Sequence, residues 1–187
     1  VERYVDTATD QMLMDFPPMR GSIVKEVMRP GTGVTEWTLS NGATVVLKPT
    51  KNKEDQILFR AVAPGGFSLA GDADLIPARA AAYVVAAGGV GQFSETTIDK
   101  IIGGRAVAVV PFIGERDEGM SGGSTPQDLE LMFQLLYLRF TRPRADPTAF
   151  AAFAAQIKGL LENRAASPDP AGRPPRRRSS STSLPPR

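Results

Sequence analysis

Few side chains in this sequence can do chemistry, and they are of restricted type. Among 187 residues there is no His and no Cys. That removes the commonest general base, the commonest zinc ligand and every thiolate site. A Ser–His or Cys–His nucleophile pair, an HExxH or HxxEH helix and a CxxC metal site are all excluded by composition. Carboxylates remain. Asp72 and Asp74 stand two apart, and Glu115, Asp117 and Glu118 crowd another short stretch. Oxygen donors at such spacing can hold a hard cation, but each group has a plainer use. Asp72 or Asp74 suits the cap of the helix that follows, and 115–118 suits a solvated hairpin tip. Arg60, Arg79 and Tyr83 have no partner that spacing can name. The run Gly88, Gly89, Val90, Gly91 has the composition of a phosphate cradle. No Lys-Ser/Thr follows it, and it closes a helix where a cradle opens one. Taken alone, the residues describe a non-catalytic domain with no catalytic and no metal-ligating residue.

The elements that would position these groups are organised around residues 121–164, which read as two helices joined by a short turn. Thr125 suits an N-cap, with Pro126 at the first helical position and Asp128 three residues past the cap. The second helix opens in the same way, with Asp146 as cap and Pro147 next. Phe150, Phe153, Ala154, Ile157, Leu160 and Leu161 recur along it at helical spacing. The first helix is apolar nearly all round (Leu129, Leu131, Met132, Phe133, Leu135, Leu136, Tyr137, Leu138, Phe140), which predicts deep burial.

Such helices need a sheet to cover, and the preceding residues supply one. Residues 34–49 predict a hairpin, with Asn41 and Gly42 in a type I′ turn. A charged loop, 51–55, leads to a third strand at 56–63, apolar on both faces except at Arg60 and so expected to be central. A helix within 71–89 is closed by Gly88. A short helix at 96–104, a strand at 105–113 and a glycine- and serine-rich return strand at 119–124 follow. The order β-β-β-α-α-β-β-α-α predicts an α+β fold, with helices packed on a mostly antiparallel sheet.

The ends differ in character. Residues 1–33 are irregular and read as a linker or extended arm, in which Met12, Leu13, Met14 and Phe16 can cling to a neighbouring surface. The chain opens on Val with no signal-peptide pattern, and the expectation is a piece of a longer protein. No apolar run approaches the length of a membrane span. Residues 169–187 lack the apolar content for a core and carry Arg176, Arg177 and Arg178. They read as a disordered basic Pro/Arg/Ser tail, as an out-of-frame translation of GC-rich DNA, or as a nucleic-acid patch. No aromatic residue is interleaved with the arginines, which weakens the last of these.

Three stretches together resemble a known family. A strand pair about an NG turn (WTLSNGATVVLKPT), a strand ending in Gly-Gly (ILFRAVAPGG) and an Ala-rich helix ending at a glycine are similar to the opening of an insulinase/pitrilysin-family zinc-peptidase repeat. The run EGMSGGSTPQDLELMFQLLYLRFTRPRADPTAFAAF looks like the inactive repeat of the bacterial periplasmic members, and the resemblance spans 34–168. It implies a clamshell of α+β repeats enclosing a peptide-binding chamber, in which an active repeat carries His-x-x-Glu-His. There two His hold zinc and the Glu acts as base towards a zinc-bound water. Laid on this chain by the closing glycine, that motif falls on residues 79–83, so the ligand and base positions are Arg79, Ala82 and Tyr83. The resemblance therefore implies an inactive, incomplete repeat with no zinc of its own, which walls the chamber and helps hold peptide. It also implies a catalytic repeat of the same family as partner, zinc bound in that repeat and a periplasmic location; no substrate-gripping residue is carried over. The competing expectations are a non-catalytic scaffold or subunit-contact domain and, through the Arg-rich tail, nucleic-acid binding.

Overall fold

The computed structural model describes residues 12–166. The basic tail at 169–187, with its three adjacent arginines, lies outside the described residues, as do residues 1–11. The chain divides into two compact units at Asp146.

The first unit begins with a three-stranded antiparallel meander: β1 (Ile23–Arg29), β2 (Val34–Leu39) and β3 (Thr44–Leu47). The presence of β1 corrects the reading of 1–33 as an arm throughout. Its strand character was hidden by Lys25, Glu26 and Arg29, which interrupt the apolar alternation; Arg29 makes a two-pronged ion pair with Glu36 of β2. Leu13, expected to cling to a neighbouring surface, is buried in the main core, whereas Met12 and Phe16 are exposed. The hairpin between β2 and β3 forms where expected, but through a different turn. Among the described residues only glycines have positive φ, Gly42 at 85° and not Asn41. The Gly42 N–H donates to the Leu39 carbonyl, and the Leu39 N–H to that of Ala43. This is a three-residue loop with a bulge at the glycine, not a type I′ turn. It needs one left-handed residue instead of two, and the Asn41 carboxamide accepts the Ala43 N–H, so Asn41 avoids the steric cost of αL.

A second antiparallel sheet has the order β4–β6–β5, formed by Ile57–Pro64, Asp117–Ser124 and Ala108–Ile113 respectively. β4 is thus an edge of this sheet and not its centre; the glycine-rich β6 takes the middle. The reason is steric. A Cβ at Gly119 would run into the Ala61 carbonyl oxygen and one at Gly122 into that of Ala108, so β6 is the strand that can be approached closely from both sides.

Helices α1 (Leu75–Gly88), α2 (Glu95–Ile101) and α3 (Leu129–Thr141) accompany this sheet, with α1 packing mainly on β5 and α3 on β5 and β6. Ile98, Val90, Met132 and Leu135 are the largest fully buried side chains, and Met120 and Val109 meet them from the strands. The structure bears out an α+β fold of helices on antiparallel strands. Deep burial of α3 on every side is not found. Met132, Leu135 and Leu138 are buried, whereas Phe133, Tyr137 and Phe140 are exposed, because a helix laid on a three-stranded sheet offers it only one face.

Helix starts follow the capping rules with shifts of register. Ser94 accepts the Thr97 N–H and starts α2. Thr125 and Asp128 bond reciprocally, hydroxyl to carboxylate at 3.0 Å and Asp128 N–H to the Thr125 hydroxyl at 3.3 Å. The α-helix proper begins only after Asp128. Thr125→Ala is expected to cost about 1 kcal/mol, the usual worth of such a cap, measured by urea denaturation. The second unit's described element is α4 (Pro147–Ala166), a helix that begins at the expected proline.

Candidate functional site

The helix on which the resemblance lays the metal motif is α1, and its sequence explains its placement. Pro77 sits in the first turn, where its missing N–H breaks no helical bond. A run of alanines then allows the helix to lie close to β5. Asp74 occupies the N-cap position, yet its side chain makes no capping bond, and the expectation of an Asp72 or Asp74 side-chain cap is corrected. The last helical residue is Gly88, as expected, and Gly89 (φ 85°) follows it as the C-cap. The glycine run there serves packing. A Cβ at Gly88 would strike the Arg144 carbonyl, while Gly91 and Gly89 exchange backbone bonds with Arg142 and Arg144.

Arg79 and Tyr83, one turn apart, are exposed, whereas Ala82 is buried towards the sheet. The Arg79 guanidinium lies over the Phe67 ring at 5.2 Å, a cation–π contact that occupies its charge. Ala82 and Ala81 meet Ala61, Val85, Met120 and Phe140 around an apolar cleft of about 350 Å³. The cleft exists because alanines face alanines: methyl groups on both α1 and β4 leave the space unfilled.

The acidic trio is dispersed. Asp117 pairs with Arg60 at 3.0 Å, and Arg60 lies over the Phe112 ring at 4.6 Å. Glu115 is exposed, with Arg116 3.9 Å away. Glu118 is the residue whose place sequence reasoning missed. Its register partners are Ala63 and Ile113, while Met120 partners Ala61 and Pro111, so Glu118 shares the helix-facing side of the sheet with Met120. Counting back by two from Met120 and Ser124, both buried, would have found it. Its carboxylate borders the apolar cleft. The Gly66 N–H donates to it at 3.4 Å, and a Cβ at Gly65 would come within 2.7 Å of its carboxyl carbon. The Gly-Gly pair that ends β4 therefore makes room for this side chain. Among the described residues no cation pairs with it.

No protein-family model matches the chain. Individual relatives do. Over 119 residues, 64% of this chain and 13% of the relative, it is 30% identical to the probable zinc protease PqqL of Haemophilus influenzae. Over 76 residues, 41% of this chain and 8% of the relative, it is 38% identical to the zinc protease PQQL-like of Arabidopsis thaliana. The crystal structure of the periplasmic protease PqqL from Escherichia coli superimposes with a TM-score of 0.73 at 23% identity, covering 89% of this chain and 19% of that one.

The chain is similar to a stretch of insulinase/pitrilysin-type zinc peptidases, and it spans less than a fifth of the length of the relatives it matches. A second solved structure of like fold is a mutant of the ferredoxin protease FusC in complex with Arabidopsis ferredoxin (TM-score 0.65, 19% identity, 87% of this chain and 18% of that one). The family's zinc can be tested against the residues present here, and they do not fit it. Zinc needs imidazole, thiolate or carboxylate lone pairs. At the three positions on which the resemblance lays the motif, Arg79, Ala82 and Tyr83, the chain offers a guanidinium, a methyl group and a phenol, on two different sides of α1. No group of three or more acidic residues able to hold a metal occurs among the described residues, and no helix among them is long and apolar enough to cross a membrane.

Proposed function

We propose that this segment is a non-catalytic repeat of a pitrilysin-type zinc peptidase, forming part of the wall of the peptide-binding chamber. Hydrolysis in the parent protein depends on zinc held by another repeat of the same family, which is this segment's partner. The observation that carries this reading is the chemistry of α1. Where the active repeat needs two imidazoles and a carboxylate, Arg79 is engaged with Phe67, Tyr83 faces solvent and Ala82 packs on the sheet. What the segment supplies is shape: an apolar cleft beside an edge strand, surfaces that suit an extended peptide. The Escherichia coli protein of like fold is periplasmic, and that supports a periplasmic location for this segment.

The test is metal analysis with a peptide-cleavage assay on the purified chain. The expected result is zinc well below one equivalent and no chelator-sensitive cleavage. Stoichiometric zinc accompanied by cleavage that a chelator abolishes would overturn the proposal. Co-expression with a family repeat carrying an intact His-x-x-Glu-His is expected to give a complex on sizing.

A further inference from the structure

We infer that the cleft between α1 and the β4–β6–β5 sheet binds a lysine side chain of a peptide, with Glu118 receiving its ammonium group. The inference deepens the proposed role and rests on it, since it states what the chamber wall would grip.

Three observations lead to it. First, the walls are almost wholly apolar and built of small groups, with Ala61, Ala81 and Ala82 facing across about 350 Å³. That is room for an unbranched methylene stem with no polar atom to satisfy along it. Second, the register of β6 puts a carboxylate on this same face, flanked by Ala63 and Ile113. Glu118 is exposed, so its carboxylate is hydrated at the mouth of the apolar cleft and accessible to an incoming cation. Third, that carboxylate is under-used. Its one hydrogen bond is the long contact from the Gly66 N–H, whereas its neighbour Asp117 is paired with Arg60. Most of its acceptor capacity is therefore open. An apolar trough leading to an uncompensated carboxylate complements a side chain with an aliphatic stem and a cationic end. A neutral apolar side chain would use the trough and ignore Glu118. An acidic one would be repelled.

The test uses the full chain and three labelled, end-blocked pentapeptides that differ at the central residue, which is lysine, norleucine or glutamate in an alanine background. Binding is read by fluorescence polarisation. The lysine peptide is expected to bind about fivefold more tightly than the norleucine peptide, the scale of a partly exposed ion pair, with the glutamate peptide weakest. Glu118→Gln keeps an acceptor for the Gly66 N–H and should abolish the preference for lysine over norleucine. Ala82→Leu fills the trough and should weaken both peptides while leaving the circular dichroism spectrum unchanged. Equal binding of lysine and norleucine peptides, or a preference that survives Glu118→Gln, would overturn the inference while leaving the chamber-wall reading intact. Failure of the chamber-wall reading itself is seen separately, as stoichiometric zinc and cleavage.

Discussion

Replacing Glu95 by alanine is expected to destabilise this protein by about 3 kcal/mol, the low end of the cost of stripping a buried ion of its partner. Arg139 lies on α3 with a side chain only 3% exposed, against 34% for that of Glu95. One guanidinium nitrogen reaches both Glu95 oxygens, at 2.7 and 2.9 Å, and another donates to the Ala86 carbonyl at 3.1 Å. The group therefore ties together the end of α1, the start of α2 and the last turn of α3. Without Glu95 the cation stays buried against one carbonyl, and α2 also loses an acidic residue from its first turn. Urea denaturation would measure the loss. The double variant Glu95→Ala/Arg139→Met should recover part of it, since no charge is then buried. A change below about 0.5 kcal/mol in the single variant, the range of ordinary surface substitutions, would mean that water reaches Arg139. The consequence extends to the cleft, because α1 forms one of its walls.

The second large effect is expected at β6. Gly122→Val should cost about 3 kcal/mol or more, at or beyond the upper end for overpacking. A Cβ there meets the Ala108 carbonyl on one side and lies 3.0 Å from the Phe59 ring on the other. Neither can yield without parting β5 or β4 from the central strand. Loss of the cooperative unfolding transition, or insoluble expression, is the expected readout. By contrast Gly42→Asn at the exposed hairpin bulge meets no neighbouring atom, and Asn tolerates αL, so its cost should be far smaller. A Gly122→Val protein that unfolds like the parent would show that β6 is not held as described.

Much of the architecture was legible in the amino-acid sequence because it rests on local signals. Thr125 and Pro147 announce helix starts through local capping chemistry, and Asn41-Gly42 announces a reversal between β-rich runs. The lack of His and Cys closes off whole classes of chemistry irrespective of fold. The same order of signals carried the family resemblance, which the relatives and the shared fold bear out.

What the tertiary structure alone decided is neighbourhood. Periodicity cannot tell which strand lies between two others; steric room at Gly119 and Gly122 put β6 there and β4 at the edge. Apolar content suggested that α3 is buried all round, but a flat sheet covers one side of a cylinder. Glu115, Asp117 and Glu118 look alike as letters. The alternation of the strand sends Asp117 to Arg60 on one face and Glu118 to the apolar cleft on the other. Arg139 is one arginine among many until Glu95, 44 residues earlier in the chain, is brought against it. Composition and short-range spacing thus determined the elements and the chemistry this chain cannot do. The surface it can offer depended on contacts between residues far apart in sequence, which only packing brings together.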